Sequence, residues 1–189
     1  MRYKSFILFL LILLIGFNVK AQSRKIQFHS INSVGFLIGE SGSDMLLQSV
    51  NGFAYKNFYS GIGFGIDNYN YNSYPLFFDQ RIYFNEKSNA FAYGDLGYNF
   101  SGKNKPGKEI YYYTSYHFSG GIFTDFGIGY HIKFSRKLFF TVSAGFTYKE
   151  INNKVGVGFP NPCELFCTVD YSNYKYGNGR VILKAGVDF

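Results

Sequence analysis

From residue 31 to its end the sequence breaks into segments of roughly ten residues in which apolar and small or polar side chains alternate. A period of two is the repeat of a β-strand, whose successive side chains point to opposite faces, and it does not fit the 3.6-residue period of a helix. The clearest segments cover 59–67, 76–84, 91–100, 121–132, 138–149 and 180–189, and two weaker ones cover 31–39 and 48–56. An all-β chain of about eight strands is expected. The composition agrees: 18 Tyr, 23 Phe and 22 Gly in 189 residues favour strands and tight turns, because aromatic side chains lose rotamer freedom in helices and glycine costs a helix about 1 kcal/mol.

The face opposite the bulky side chains decides what the sheet is for. In 121–132, Ile122, Phe126, Ile128, Tyr130 and Ile132 share one face with Thr124, while Gly121, Phe123, Asp125, Gly127, Gly129 and His131 share the other. The same split sets Ile62, Phe64 and Ile66 against Gly61, Gly63, Gly65 and Asp67, and Leu138, Phe140, Val142, Ala144, Phe146 and Tyr148 against Thr141, Ser143, Gly145, Thr147 and Lys149. Asp67, Asp79, Arg81, Asp95, Asp125, Lys149, Lys184 and Asp188 all fall opposite the apolar face. A barrel of about eight strands is barely wide enough inside for side chains to fill it, so the bulky set points outward. Lipid is then the matching solvent, since a charge at mid-depth costs roughly 2–4 kcal/mol on a lipid-facing strand.

The connections separating these strands run 40–47, 57–58, 68–75, 85–90, 101–120, 133–137 and 150–179, long and short in alternation. That implies a single antiparallel up-and-down transmembrane barrel with long extracellular loops, short periplasmic turns and both ends of the wall on the periplasmic side. Residues 1–21 read as a cleaved signal peptide: Arg2 and Lys4 lead an apolar run from Phe6 to Phe17, and Val19-Lys20-Ala21 ends it. Residues 22–30 are expected as a periplasmic segment and 31–189 as the barrel, placed in a Gram-negative outer membrane. The leader holds three of the 19 basic residues and leaves 16 against 12 acidic ones, an excess that offers no basic helix or Lys/Arg run for nucleic acid.

Within the barrel Asp79, Arg81, Asp95, Asp125, Lys184 and Asp188 are expected to form a paired charge network in the lumen, with Arg81 as hub because its planar fork can hold two carboxylates. A lumen filled this way leaves no wide channel. Cys163 and Cys167, spaced C-x3-C, are expected to close a small disulfide, and no neighbouring His completes a metal site. Gly61-Ile62-Gly63-Phe64-Gly65 lies within a strand with no helix after it, so it reads as inward strand glycine and not as a phosphate loop. No cofactor is expected.

The C-terminal alternation of Val181, Leu183, Ala185, Val187 and Phe189 resembles the terminal strand read by the outer-membrane barrel assembly machinery. Pro75-Leu76-Phe77-Phe78-Asp79-Gln80-Arg81-Ile82-Tyr83-Phe84, Gly94-Asp95-Leu96-Gly97-Tyr98 and Gly127-Ile128-Gly129-Tyr130 resemble the small outer-membrane barrels common in Bacteroidota, of the OmpA/OmpX/OmpW-like kind. The resemblance implies location and topology and no activity. It makes the expected partners outer-membrane lipid, lipopolysaccharide and, during biogenesis, the assembly machinery, with the barrel a monomer.

Three functions are carried forward. A structural or surface-interaction barrel acts through its long loops; Lys103, Lys105 and Lys108 beside Tyr111-Tyr112-Tyr113 suit acidic glycans or lipopolysaccharide phosphates, or simply a solvated loop with interfacial tyrosines. A conduit for small solutes or apolar molecules is the alternative. An enzyme is disfavoured: His117-Phe118-Ser119 resembles the His-x-Ser pair of the lipid A deacylases, but Gly120-Gly121 stands where that family has Asn-Ala-Gly, no acidic residue sits at the family's spacing, and strand parity turns the pair to the lumen or rim.

Overall fold

The computed structural model describes residues 26–40, 42–68, 72–84, 89–102, 113–135, 138–158 and 169–189. Its elements are β1 (Gln27–Gly39), β2 (Gly42–Tyr55), β3 (Phe58–Asp67), β4 (Ser73–Tyr83), β5 (Ala90–Ser101), β6 (Tyr113–Ser119), β7 (Gly121–Lys133), β8 (Phe139–Gly158) and β9 (Val169–Asp188). Every pairing is antiparallel, and β9 pairs both with β8 and with β1, so the sheet closes on itself. The last ladder runs from Ile31↔Asp188 to Gly39↔Arg180, and below it Ser30 and Phe189 exchange backbone hydrogen bonds of 2.8 and 3.1 Å.

The nine stretches make eight staves, because β6 and β7 are one wall strand broken at Gly120 and both pair with β8. Ser119 faces Asn152 while Phe123 faces Lys149, so four steps on one strand match three on the other: a β-bulge. Glycine is required there by contact, since a Cβ on Gly120 would stand 1.6 Å from the Asn99 carbonyl oxygen. The Asn152 amide pins the bulge by donating to the Gly120 carbonyl at 2.9 Å.

Alternation sorts the side chains as the sequence implies. Phe126 is 56% exposed on the outer face, and its chain neighbour Asp125 is fully buried inside. Phe64, Phe140 and Phe146 are also outward. Outward aromatic rings meet across ladders, as in Phe28–Phe53 at 5.6 Å and Phe126–Phe146 at 5.9 Å, both directly opposed pairs of the kind that stabilise a sheet by about 0.2–1 kcal/mol. Inward glycines make room for inward rings: a Cβ on Gly63 would lie 2.3 Å from the Phe77 ring, one on Gly129 2.3 Å from Phe91, and one on Gly145 2.5 Å from the Tyr93 hydroxyl.

The wall differs from expectation at its ends. β1 starts at Gln27, inside the segment assigned to the periplasm, and the connection placed at 40–47 shrinks to 40–41 because β2 starts at Gly42. Much of the loops placed at 101–120 and 150–179 is strand. β6, the part of β8 beyond Glu150 and the part of β9 before Arg180 form a three-stranded sheet that continues past the rim, where β1 has already ended at Gly39. This rim, where β1, β3 and β5 end and β2 and β4 begin, is called the upper rim; the lower rim carries the Lys56-Asn57 turn and both ends of the closed wall.

A Gly120→Ala substitution must push the Asn99 backbone away and is expected to cost about 1–3 kcal/mol, as overpacking does. Gly94→Ala, whose Cβ would meet nothing within 4 Å, is the control and should leave urea unfolding of the detergent-solubilised barrel unchanged.

Candidate functional site: the filled lumen

Five aspartates, two lysines and two arginines are buried among the described residues, all of them on strands of the closed wall. The closed wall supplies few backbone partners, since its amides and carbonyls are spent on the ladders, so the buried charges must satisfy one another. They pair in tiers stacked along the barrel axis, with Asp95 held by charge alone and without a hydrogen bond to either oxygen among the described residues.

Near the upper rim, Asp67 at the end of β3 accepts from Arg180 Nη1 at 2.5 Å and pairs with Lys149 Nζ at 3.0 Å. The Lys149 ammonium also donates to Ser73 Oγ at 3.1 Å, and that hydroxyl donates to the Asp67 carbonyl at 3.3 Å. Below lies an apolar layer of Leu37, Leu46 and Ile182, and another of Ile31, Val50, Tyr59, Phe77 and Phe123.

The middle tier has two parts. Lys184 Nζ donates to Asp125 Oδ2 at 2.8 Å, lies 3.9 Å from Asp95 Oδ2 and sits 4.0 Å from the centre of the Tyr93 ring, whose hydroxyl donates to Asp125 Oδ1 at 3.0 Å. Arg81 grips the single carboxylate of Asp79 with Nε and Nη2 at 2.9–3.1 Å, and its guanidinium lies over Tyr59 and Phe91 at 5.6 and 5.3 Å. At the lower rim, His29 Nδ1 is 2.8 Å from Asp188 Oδ1 and His131 Nε2 is 3.8 Å from Asp188 Oδ2, with Tyr83, Phe91 and Phe139 packed around the His131 ring. An open cavity of about 260 Å³ lies here, bordered by His29, Tyr59, Tyr83, His131 and Asp188.

All six residues proposed for the lumen network are therefore inside and buried, but they do not form one network. Arg81 is not its hub: the fork closes on Asp79, two residues along the same strand face, and it is Lys184 that stands between two carboxylates. Asp188 belongs to the histidines of the lower rim. The upper tier was missed. Asp67 and Lys149 were recognised as inward without being joined, and Arg180 shares the parity of Ile182 and Lys184, the signal that identifies it.

A second correction follows from the bulge. Lys149, Ile151 and Asn153 are buried, so Asn152 and Lys154 point outward, and Ser119 and His117, directly opposite them, point outward too. The parity that turned this pair to the lumen was broken by one extra residue at Gly120. On the same outward face Glu150 accepts from Lys175 Nζ at 3.0 Å and from the Tyr148 hydroxyl at 3.2 Å, and the ammonium holds this carboxyl below its ordinary range. Lys154 lies over the exposed Tyr171 ring at 4.5 Å. The expected disulfide of Cys163 and Cys167, the patch of Lys103, Lys105, Lys108, Tyr111 and Tyr112, and the leader all lie outside the described residues.

Val181, Leu183 and Val187 line the outer face of β9 and Phe189 follows it, exposed. Ala185, at the same parity, faces outward with them.

No protein family matches the chain, and no curated protein matches it in sequence. Among solved structures the chain is similar to the outer membrane protein OprG from Pseudomonas aeruginosa, with 10% identity over 85% of this chain and 94% of that one and a TM-score of 0.53. It also matches outer membrane protein AlkL, solved in lipid bilayers, at 11% identity over 91% of this chain and 94% of that one, with a TM-score of 0.46. The likeness to OprG shows the fold: the chain has the architecture of an outer-membrane barrel.

Lys184→Met leaves two buried carboxylates facing each other and is expected to destabilise the folded barrel by about 3–5 kcal/mol, the usual cost of removing one partner of a buried pair. The triple variant Lys184→Met, Asp125→Leu, Asp95→Leu should recover most of that loss in the same denaturation assay, because no unpaired charge remains.

Proposed function

We propose that this protein is an outer-membrane barrel of the surface-interaction type, exported by its leader, whose wall is a sealed anchor and whose working part is the three-stranded sheet beyond the upper rim. One observation carries the reading: the lumen is crossed by buried ion-pair tiers with apolar layers between them, so the barrel holds side chains where a pore would hold water. The broad outer belt of Phe, Ile, Leu and Val supports residence in lipid, since water would not tolerate the exposure of so much apolar surface. The sheet of β6, β8 and β9 then stands outside the cell, and Tyr171, Tyr174 and Tyr176 are exposed on it, with the last two rings stacked at 6.5 Å. Tyr171 beside Lys154 on one face, and the stacked Tyr174 and Tyr176 on the other, suit a polar, carbohydrate-rich partner, since their rings bury area at little entropic cost.

The test has two arms. The protein should fractionate with the outer membrane, migrate differently on gels before and after heating, and remain electrically silent in planar bilayers; a steady conductance would convert the reading to a conduit. Excising 151–177 with a short turn in its place should leave a heat-modifiable barrel and abolish binding to the bacterial surface or to its partner; unchanged binding defeats the assignment of the sheet.

A second reading is favoured by the outward turn of His117 and Ser119. Beyond the bulge the two side chains share the outer face directly above the apolar belt, the level at which ester-linked acyl chains of a lipid meet their headgroups. Opposite His117, however, stands Lys154 and not a carboxylate, so its cross-strand partner does not orient the imidazole as a base. Lipid A from cells producing the protein should therefore be unchanged in mass spectra. Loss of an acyl chain that disappears with Ser119→Ala would establish the hydrolase.

A further inference from the structure

The outer face of the wall is not uniform. Across β5, β7, β8 and β9 its outward positions within the belt are Ala92, Leu96, Ile122, Phe126, Ile128, Val142, Phe146, Leu183 and others of the same character, with Thr124 as the one non-aromatic polar side chain among the described residues. Across β1 to β4 the outward positions include Asn32, Ser49, Asn51, Ser60 and Gln80, with Ser30 at the same parity but buried beside Asn32. They are neighbours: Ser30 opposes Asn51, Asn32 opposes Ser49, and Ser60 opposes Gln80.

These polar groups lie inside the apolar belt and not at its edge. Along β1 and β2, Phe28, Phe53 and Tyr55 flank them toward the lower rim, and Val34, Phe36 and Leu47 flank them toward the upper rim. They are also poorly satisfied. Asn32 donates to Ser30 Oγ at 3.4 Å and Asn51 to Ser49 Oγ at 3.5 Å, both long, while Gln80 and Ser60 satisfy each other. An amide offers two donors and an acceptor, and in hydrocarbon each unmet group is costly, with neither water nor a lipid ester within reach. Asn32, Ser49 and Asn51, on two adjacent strands, keep hydrogen-bonding capacity that a polar partner within the membrane would meet.

We propose that this face is the interface with a second copy of the chain, packed about a twofold axis along the membrane normal. The proposal rests on the outer-membrane reading above. Amide and hydroxyl groups are self-complementary, each able to donate to and accept from its own symmetry mate, as an isologous contact requires. The shape agrees with the chemistry. A shallow, mostly apolar groove of about 590 Å³ borders the patch, running from Phe64 on β3 past Ser49 and Asn32 to Ala185 on β9 and Phe140 on β8, and it gives an aromatic ridge of the second copy a seat next to the polar groups. Small residues that allow close approach together with polar side chains that bond across it are the means by which elements associate in lipid, where the hydrophobic effect supplies no drive. The monomer expected from the sequence gives way to a dimer.

The test uses Ser49→Cys in a background with Cys163→Ser and Cys167→Ser, oxidised in intact outer membranes, with Ile128→Cys on the apolar side as control. A disulfide-linked dimer at position 49, several-fold above that at 128, is expected. Asn32→Leu with Asn51→Leu, which suits both lipid and an apolar wall, should lower the dimer fraction about tenfold while heat-modifiability is kept. A wild-type protein that is heat-modifiable but monomeric in native-lipid discs, or equal cross-linking at 49 and 128, overturns the interface alone. A wild type that never becomes heat-modifiable overturns the membrane reading and the interface with it.

Discussion

The β1–β9 ladder is the contact without which neither face of this molecule makes sense. Until it forms, β1 and β9 are two open edges carrying unpaired amides and carbonyls, which hydrocarbon cannot solvate. Once Ile31 to Gly39 pair with Asp188 to Arg180, every stave in the belt has two neighbours, and the only remaining freedom is which side chains point in. Inside the closed wall Arg180 and Lys184 of β9 meet carboxylates of β3, β5 and β7 that are remote in sequence, and Asp188 meets His29 of β1. Closure and the upper charge tier are thus one event: an open sheet would part Asp67 of β3 from Arg180 and Lys149 on β9 and β8.

The lumen follows from a volume constraint. Eight staves enclose a narrow space, and charged side chains alone would fill it poorly and with high self-energy. Inward glycines answer this by giving rings somewhere to lie. Phe77 occupies the volume that a side chain at position 63 would take, Phe91 that at 129 and Tyr93 that at 145. Those rings separate the tiers and cover their cations, as Tyr93 does for Lys184 and Tyr59 and Phe91 do for Arg81. Each tier therefore pairs its charges with near neighbours: Asp67 holds both Arg180 and Lys149, and Lys184 stands between Asp125 and Asp95.

How far the sequence carried this picture depended on what parity can and cannot encode. A period of two states the face of a side chain but not its neighbour around the wall, which depends on register. Asp79, Arg81, Asp95, Asp125, Lys184 and Asp188 were legible as inward for that reason, whereas the preference of Arg81 for Asp79 alone and the position of Lys184 between two carboxylates were not. Parity is also only as good as the continuity of the strand. One extra residue at Gly120 reversed His117 and Ser119, and no local pattern around Gly120-Gly121 distinguishes a bulge from the strand end that two glycines also suggest. Beyond the rim the signal fades for a different cause: β9 is exposed on both faces from Tyr171 to Gly177, so Tyr171, Tyr174, Tyr176 and Lys175 need not alternate with anything.

The two polar populations of the wall obey opposite rules, and the contrast gives the outer one its meaning. Inside, ionised groups are tolerated because each meets a partner of opposite sign within the same chain. Outside, on β1 to β4, the groups are neutral and only half answered by their own chain. A lipid-facing wall under no further demand would carry there the Leu, Ile and Phe that it carries on β5 to β9. Neutral hydrogen-bonding side chains of short reach, set beside a mostly apolar groove between Phe64 and Phe140, are instead what a wall carries when it must part from lipid at one place and meet another protein surface like itself.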